Sequence, residues 1–489
     1  MRCIVVQMSS TSSGAISEDL SATSTSSREP MLAGFPWVSA IILYTLSWGW
    51  SLLRPNTLYW DDWEWVFGHP PKDIWISTEL SGLAPWSRLI EWLLLLVGHW
   101  AICLLTFLCF FLTSIFLFGI LKRLPTVKIK YIQILVLLFL TVPVNHARIS
   151  IIVFDYTSSY FLFFLGWLAL VRYRSFRSFT LALLLLFLSL KTHSLLFFIM
   201  LPFLHFVWLN KDALKNSKKL RVVHIQVFSI AFLPIIYFLL RKLFWPPTKD
   251  WIDYHHVTSA GLQVALLPII IGLVPLILIA IRKAKNLSVN FGLTLLVIGF
   301  LVTALALFPY FAGELYVGYA GGPAYITVFE FRADWRSRHQ LLMPLGLALS
   351  VVGFNELLKW KGKNIVVSIV LVISVALNMF WGSQYFLMSH KQEQLVELFK
   401  TTEGKVEIAS VEDQTKRFNG RESTFRGYEW NGFMTLAGIS TNRPGCEALP
   451  SGSALILKSD TPYLKALVTR DLGLYFEVAP CSEVLAKDG

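Results

Sequence analysis

Between Gly34 and Leu387 the chain passes through one apolar stretch after another, separated by short polar breaks, and this alternation constrains the fold more than any motif does. The stretches are 34–53, 93–121, 131–144, 156–171, 178–190, 195–209, 222–240, 260–281, 289–308, 340–358 and 364–387. Roughly 20 apolar residues carry a helix across the hydrocarbon, where a helix satisfies its own backbone hydrogen bonds. Composition agrees, with 55% of residues hydrophobic and 15% charged, against about 25% charged in soluble domains. The expected fold is an all-α polytopic membrane protein of about 11 transmembrane helices. The same composition excludes wholly disordered, collagen-like and disulfide-rich secreted classes.

The formal charge of +12 does not require a polyanionic partner. Polytopic proteins retain Lys and Arg in cytoplasmic loops, and no zinc-finger or basic-zipper spacing points to nucleic acid. The breaks 122–130, 172–177, 211–221, 282–285 and 359–363 hold 18 Lys or Arg in 35 residues, which assigns them to the cytoplasm. The breaks 54–92, 145–155, 191–194, 241–259 and 309–339 are rich in Trp, Tyr and Gly and are assigned outside. This order puts the N-terminus in the cytoplasm and everything after Leu387 outside. It also splits the run 178–210, whose two flanks are basic, into short helices turning at Lys191, Thr192, His193 and Ser194. A Lys and a His at that depth are costly unless they face a polar cavity.

Residues 1–33 read as a disordered cytoplasmic tail, because 12 of the 19 positions from 9 to 27 are Ser or Thr. They do not resemble a secretory signal, and Met31 is an alternative start. Residues 34–387 form the transmembrane region and 388–489 a small C-terminal α/β extracytoplasmic domain. In the latter, "VEIAS", "ALILKS" and "YFEVA" read as strands, and Lys391 to Lys400 and "PYLKALV" as helical. On an oxidising face Cys446 and Cys481 are candidates for pairing, whereas Cys103 and Cys109 lie in lipid or core.

Two outer constellations carry chemistry. The first loop reads "RPNTLYWDDWEWVFGHPPKDIW", where Asp61 and Asp62 stand among Tyr59, Trp60, Trp63 and Trp65. An apolar surround makes a carboxylate more basic, as a general base requires. The tryptophans individually fit an interfacial belt better than a sugar platform. The second constellation is "FEFRADWRSRHQLLMPLG", with Arg332, Arg336, Arg338 and His339 at the mouth of a helix. Arginine there suits phosphate through bidentate hydrogen bonds, the competing roles being headgroup snorkelling or pairing with Asp334 and Glu330. The upstream "FPYFAGELYVGYAGGPAY" reads as a flap or as an ordinary loop. His255 and His256, near Asp250 and Asp253, are candidates to bind a divalent cation together with Asp61 or Asp62, although no ligand spacing supports it. Glu91 and His99 fit a packing role between helices.

These residues resemble the GT-C superfamily of integral-membrane glycosyltransferases, which includes protein O-mannosyltransferases and enzymes that modify lipid A and surface polysaccharides. The likeness covers residues 34 to about 387: the acidic pair Asp61 and Asp62, the hairpin "SLKTHSLLFFIMLPFL", and "RSRHQLLMPLG" entering a Pro-containing helix. The family pattern often has Asp-Glu where this chain has Asp-Asp, which leaves open which acid is catalytic. The resemblance implies sugar transfer, with inversion, from a polyprenyl-phosphate donor to a surface glycan or lipid acceptor at the outer face of a bacterial inner membrane. Asp61 or Asp62 would be the base; Lys191, His193, Arg336, Arg338 and His339 would hold the donor phosphate. Membrane lipids are the other expected partners, and no cofactor beyond the candidate cation is called for. The rivals are a polysaccharide polymerase or ligase acting on lipid-linked glycan, a transporter or lipid flippase, and a non-catalytic assembly subunit. No duplicated half, as many transporters have, is visible.

Overall fold

The computed structural model describes residues 31–63, 66–67, 84, 86–124, 127–173, 175–192, 195–211, 220–246, 291–306, 335–358, 363–402, 407–415, 418, 425–439, 445–447, 449 and 451–482. Among them the chain is mostly helical. The helices of the apolar region are α1 (Trp37–Trp48), α2 (Trp86–Val97), α3 (His99–Leu121), α4 (Ile129–Thr141), α5 (Phe154–Arg172), α6 (Phe176–Ser189), α7 (Met200–Leu209), α8 (Leu220–Phe244), α9 (Phe291–Ala306), α10 (Met343–Leu357) and α11 (Lys363–Thr402). Ten of the expected stretches coincide with helices; the stretch 260–281 lies outside the described residues.

Four segments, His99–Leu121, Ile151–Arg172, Val222–Phe244 and Asn364–Thr402, are long and apolar enough to cross a membrane, and five shorter apolar helices accompany them. The outer faces are what a membrane protein requires. Along α8, for instance, Val222, Ile225, Phe228, Phe232, Ile235, Phe238 and Leu239 are all exposed. Apolar surface so continuous is not left facing water.

Local chemistry sets the helix ends. Gly98 has φ +126°, a conformation that only glycine adopts readily, so the expected run 93–121 is broken into α2 and α3, and α2 begins at Trp86. Ser175 caps α6 through Ser178. The run 178–210 is likewise two helices, with a short turn Leu190–Thr192 between them. α9 and α10 meet backbone to backbone. A Cβ on Gly346 would stand 2.6 Å from the amide nitrogen of Thr303, and one on Gly353 would press on the backbone of Leu296. Small residues at such crossings let helices approach closely where lipid offers no hydrophobic drive.

Lys122 donates to the carbonyl of Ala33 (3.1 Å), Gln133 to that of Gly34 (2.7 Å) and Tyr131 to Glu356 (2.7 Å), so the start of the apolar region, the turn before α4 and the end of α10 lie together. Asp62 of the first loop, the Lys191 turn and Ser337 all meet the segment after α4.

α11 does not stop at Leu387; it continues to Thr402 and carries the C-terminal unit. That unit is a three-stranded sheet in the order β1-β2-β3, with β1 (Ile408–Asp413), β2 (Ser453–Ser459) and β3 (Leu474–Pro480). β1 and β2 are parallel, Val411 opposite Leu455, and the crossover between them holds α12 (Gly427–Ala437). β3 runs antiparallel after α13 (Tyr463–Thr469). Cys446 and Cys481 form a disulfide with Cα atoms 5.1 Å apart. Lys391 of α11 makes a fully buried ion pair with Asp413 of β1 at 2.7 Å. A single core joins this unit to the bundle, since Trp60, Trp63, Ile151, Phe154, Tyr385, Phe433 and Leu455 pack in one cluster.

Candidate functional site

The segment from Asn145 to Ser158 organises this end of the molecule. It comprises two short 3-10 turns, His146–Ile149 and Ile151–Val153, and the first turn of α5. Asn145 has φ +58°, which turns the chain sharply out of α4.

Asp62 docks on it. Its Oδ1 accepts from the Ser150 hydroxyl at 2.6 Å and the Ile152 amide at 3.1 Å, and its Oδ2 accepts from the Tyr59 amide at 3.0 Å. The carboxylate is wholly buried. Burial pushes its pKa up to about 7 against the pull of the hydrogen bonds from Ser150, Tyr59 and Ile152.

Asp61 points the other way. Trp60, just before the acids, turns the chain in the left-handed region with φ +51°. Asp61 keeps about a quarter of its side chain exposed. Its Oδ1 accepts from Arg426 Nη1 at 3.0 Å and from the Tyr428 hydroxyl, both at the start of α12. The adjacent aspartates thus have different surroundings, one sealed in the core and one at the seam with the C-terminal unit. Arg426 and Tyr428 thus serve Asp61, and three donors serve Asp62. His255, His256, Asp250 and Asp253 lie outside the described residues.

The expected basic residues meet the same segment in part. Lys191 is buried, its ammonium 3.0 Å from Asp155 and 2.7 Å from the Ser158 hydroxyl. That pairing compensates the charge. His339 is buried with its ring against Tyr156, centroids 5.4 Å apart. Burial, and then the guanidinium of Arg338, hold its imidazole well below the usual range, so it is neutral near pH 7. Around it, Ser337 accepts from the Ala147 amide at 2.9 Å and Gln340 from the Asn145 amide at 2.9 Å. Arg338 is half-buried; His193, Trp65 and Arg332, and the side chain of Arg336, lie outside the described residues. Residues 62, 191 and 337–340 are therefore brought to one stretch of 14 residues, while Asp61 turns to α12.

Trp60 and Trp63 are buried, not placed in an interfacial belt. Trp60 lies edge-on to Tyr385, and Trp63 fills the groove left by the missing side chain of Gly432. The loop is thereby clamped between α11 and α12, with the Gln392 amide donating to the carbonyl of Leu58 at 2.7 Å.

The sequence reading passed over Arg148. It is buried, with its Cζ 3.1 Å from the Trp48 ring centroid and 4.3 Å from that of Phe110. Burial lowers its pKa to about 10, which leaves it a cation at neutral pH. The available signal was the lone arginine of the short break 145–155 assigned to the outer side, against the topological tendency. Beside it, His146 is buried against Trp48. Burial and then Arg148 bring its pKa down to about 3.

The cavities differ sharply. Two small ones, of about 20 and 10 Å³, border Arg148. A larger one of about 260 Å³ lies between α3, α4, α5, α7, α9 and α10 and is lined by side chains such as Leu121, Leu135, Trp167, Leu204, Ile298 and Leu349. No protein-family model matches this chain, and neither a curated protein nor a solved structure matches it.

Proposed function

We propose that the protein is a membrane glycosyltransferase of the GT-C type, crossing a bacterial inner membrane about 11 times, with its N-terminus in the cytoplasm and its C-terminal unit outside. It moves a sugar from a polyprenyl-phosphate donor to a surface glycan or lipid acceptor. The observation that carries this reading is the gathering of the acidic first loop, the Lys191 turn and the 337–340 strip on the segment 145–158, despite their separation along the chain. The Cys446–Cys481 disulfide supports an oxidising compartment for the same end.

Within this reading the two acids divide the work. Asp61, partly exposed, is the base toward the acceptor hydroxyl, with Arg426 and Tyr428 orienting it. Asp62 is a positioning residue that pins the loop to Ser150 and Ile152. On the donor side Arg336 and Arg338 supply positive charge, Lys191 lines the same segment as an ion pair with Asp155, and His193 and the neutral His339 ring supply hydrogen bonds. The chemistry asks for a proton acceptor on one reactant and donors on the leaving phosphate, with the lipid tail still in the bilayer.

The test is transfer by purified protein in nanodiscs, from polyprenyl-phosphate sugars to an acceptor extract, read by mass spectrometry. Asp61→Asn should lower the rate by about 10² to 10⁴ while the protein stays folded. Undiminished transfer would refute the base assignment and favour a polymerase or ligase. Substrate movement across liposomes without a covalent product would replace the enzyme with a transporter.

A further inference from the structure

The Arg148 guanidinium is a buried cation whose chemistry the proposed reaction leaves unused. Its two faces are covered by Trp48 and Phe110, and ring faces offset part of the charge. The N–H donors lie in the guanidinium plane, where rings cannot serve them. Nε is buried without an acceptor, and none of the side-chain N–H groups bonds to a carboxylate or carbonyl among the described residues. A buried charge without a counter-charge is strongly unfavourable.

The space around it is specific. The two small cavities both border Arg148 and Tyr44; the first also touches Ser51 and Thr106, the second Asn145 and Tyr160. Their lining is mostly apolar, with a few hydroxyl, amide and guanidinium groups, and no Asp or Glu lines them among the described residues. Thr106 Oγ1 is buried without a partner. Each cavity is about the size that one water-sized particle occupies.

We propose that Arg148, with the Tyr160 hydroxyl beside it, forms a binding site for one small monatomic anion, of the halide class, at this end of the bundle. The guanidinium edge and the Tyr160 hydroxyl supply hydrogen bonds to it, while the Tyr44 and Ser51 hydroxyls are already spent on the carbonyls of Phe107 and Trp48. The site neutralises the cation where Trp48 of α1, Phe110 of α3 and the 146–149 turn meet, and so locks three segments together. It does not depend on the glycosyltransferase reading.

The experiment uses the full-length protein in zwitterionic nanodiscs, in gluconate buffer of fixed ionic strength, titrated with chloride or bromide while the thermal midpoint is followed. The midpoint should rise and saturate, as binding to the folded state alone demands. Arg148→Met should abolish the rise, and its midpoint in gluconate should equal or exceed that of the wild type, because it removes the uncompensated charge. Tyr160→Phe keeps the cation and loses one hydrogen bond to the anion; its halide affinity should fall about ten-fold, and it stands in if Arg148→Met does not fold. Bromide-soaked crystals should give an anomalous peak beside Arg148. A non-saturating response, an equal response in Arg148→Met, or equal stabilisation by sulfate or phosphate would each overturn the proposal.

Discussion

Around Asp61 and Asp62, the segments of the bundle are tied by directed polar contacts: the carboxylate of Asp62 on Ser150 and Ile152, Lys191 on Asp155 and Ser158, Ser337 and Gln340 on the amides of Ala147 and Asn145. In the half of the bundle that holds the large apolar cavity, α9 and α10 are joined by bare backbone contact at glycines, and the surrounding packing is aliphatic and aromatic. The difference teaches where specificity resides. A buried polar contact has one geometry and a heavy cost when broken, whereas apolar packing tolerates rearrangement. The polar end is suited to hold reacting groups in place, and the apolar half to hold helices together.

Substitutions can break that contrast. The largest effect is expected at the polar end: Lys191→Ala leaves Asp155 as a buried charge without its cation and should destabilise by about 3–5 kcal/mol. The double variant with Asp155→Leu should recover much of this. Denaturation of purified protein in detergent measures both; equal loss in single and double variants would show that the pair does not act as a unit.

The disulfide comes next. Removing the Cys446–Cys481 link, which spans 35 residues, should cost the C-terminal unit about 3–4 kcal/mol by the chain-entropy relation. Limited proteolysis of Cys446→Ser should then cut within 447–480 before it cuts the bundle.

In the apolar half, Gly346→Ala pushes a methyl against Thr303 and should cost about 1–3 kcal/mol through overpacking. An apolar substitution inside the large cavity, such as Leu204→Met, should cost less than about 1.5 kcal/mol. If the two were equally harmful, the helix crossing would not be the rigid part of that half.

The pH dependence of stability sharpens the reading of Asp62. Its folded pKa, about 7, lies above the ordinary 3.8, so the folded state favours the protonated acid. Its contribution is full below about pH 4 and is lost as pH rises through 7, with a slope of at most about 1.4 kcal/mol per pH unit. Subtracting the thermal-midpoint curve of Asp62→Asn from that of the wild type isolates this term from His339, whose depressed pKa acts in the opposite sense. A flat difference between pH 4 and 8 would mean that Asp62 is ionised throughout.

Much of the fold was legible because its driving pattern is local. Apolar runs of helical length are properties of neighbouring residues, and β1, β2, β3 and α13 lie where "VEIAS", "ALILKS", "YFEVA" and "PYLKALV" placed them. The break at Gly98 was missed because a lone glycine barely alters hydropathy, yet it alone admits φ +126°. The continuation of α11 past Leu387 was missed because polarity ends a membrane segment without ending a helix. At the site, Asp61, Asp62, Lys191 and His339 stood out as charges and rings in unusual places, but their partners Ser150, Asp155 and Tyr428 had no distinguishing local signal.

The sequence by itself determined that this chain is a bundle of apolar helices with a small α/β unit after it, since hydropathy and periodicity act over a few turns. Only the tertiary structure decided that Asp62 is sealed on Ser150 while Asp61 meets Arg426 and Tyr428, that Lys191 is already paired, and that Arg148 is enclosed by Trp48 and Phe110. Those outcomes depend on which distant segments share a core, and the field and solvation at a charge are set by neighbours in space, not by neighbours in the chain.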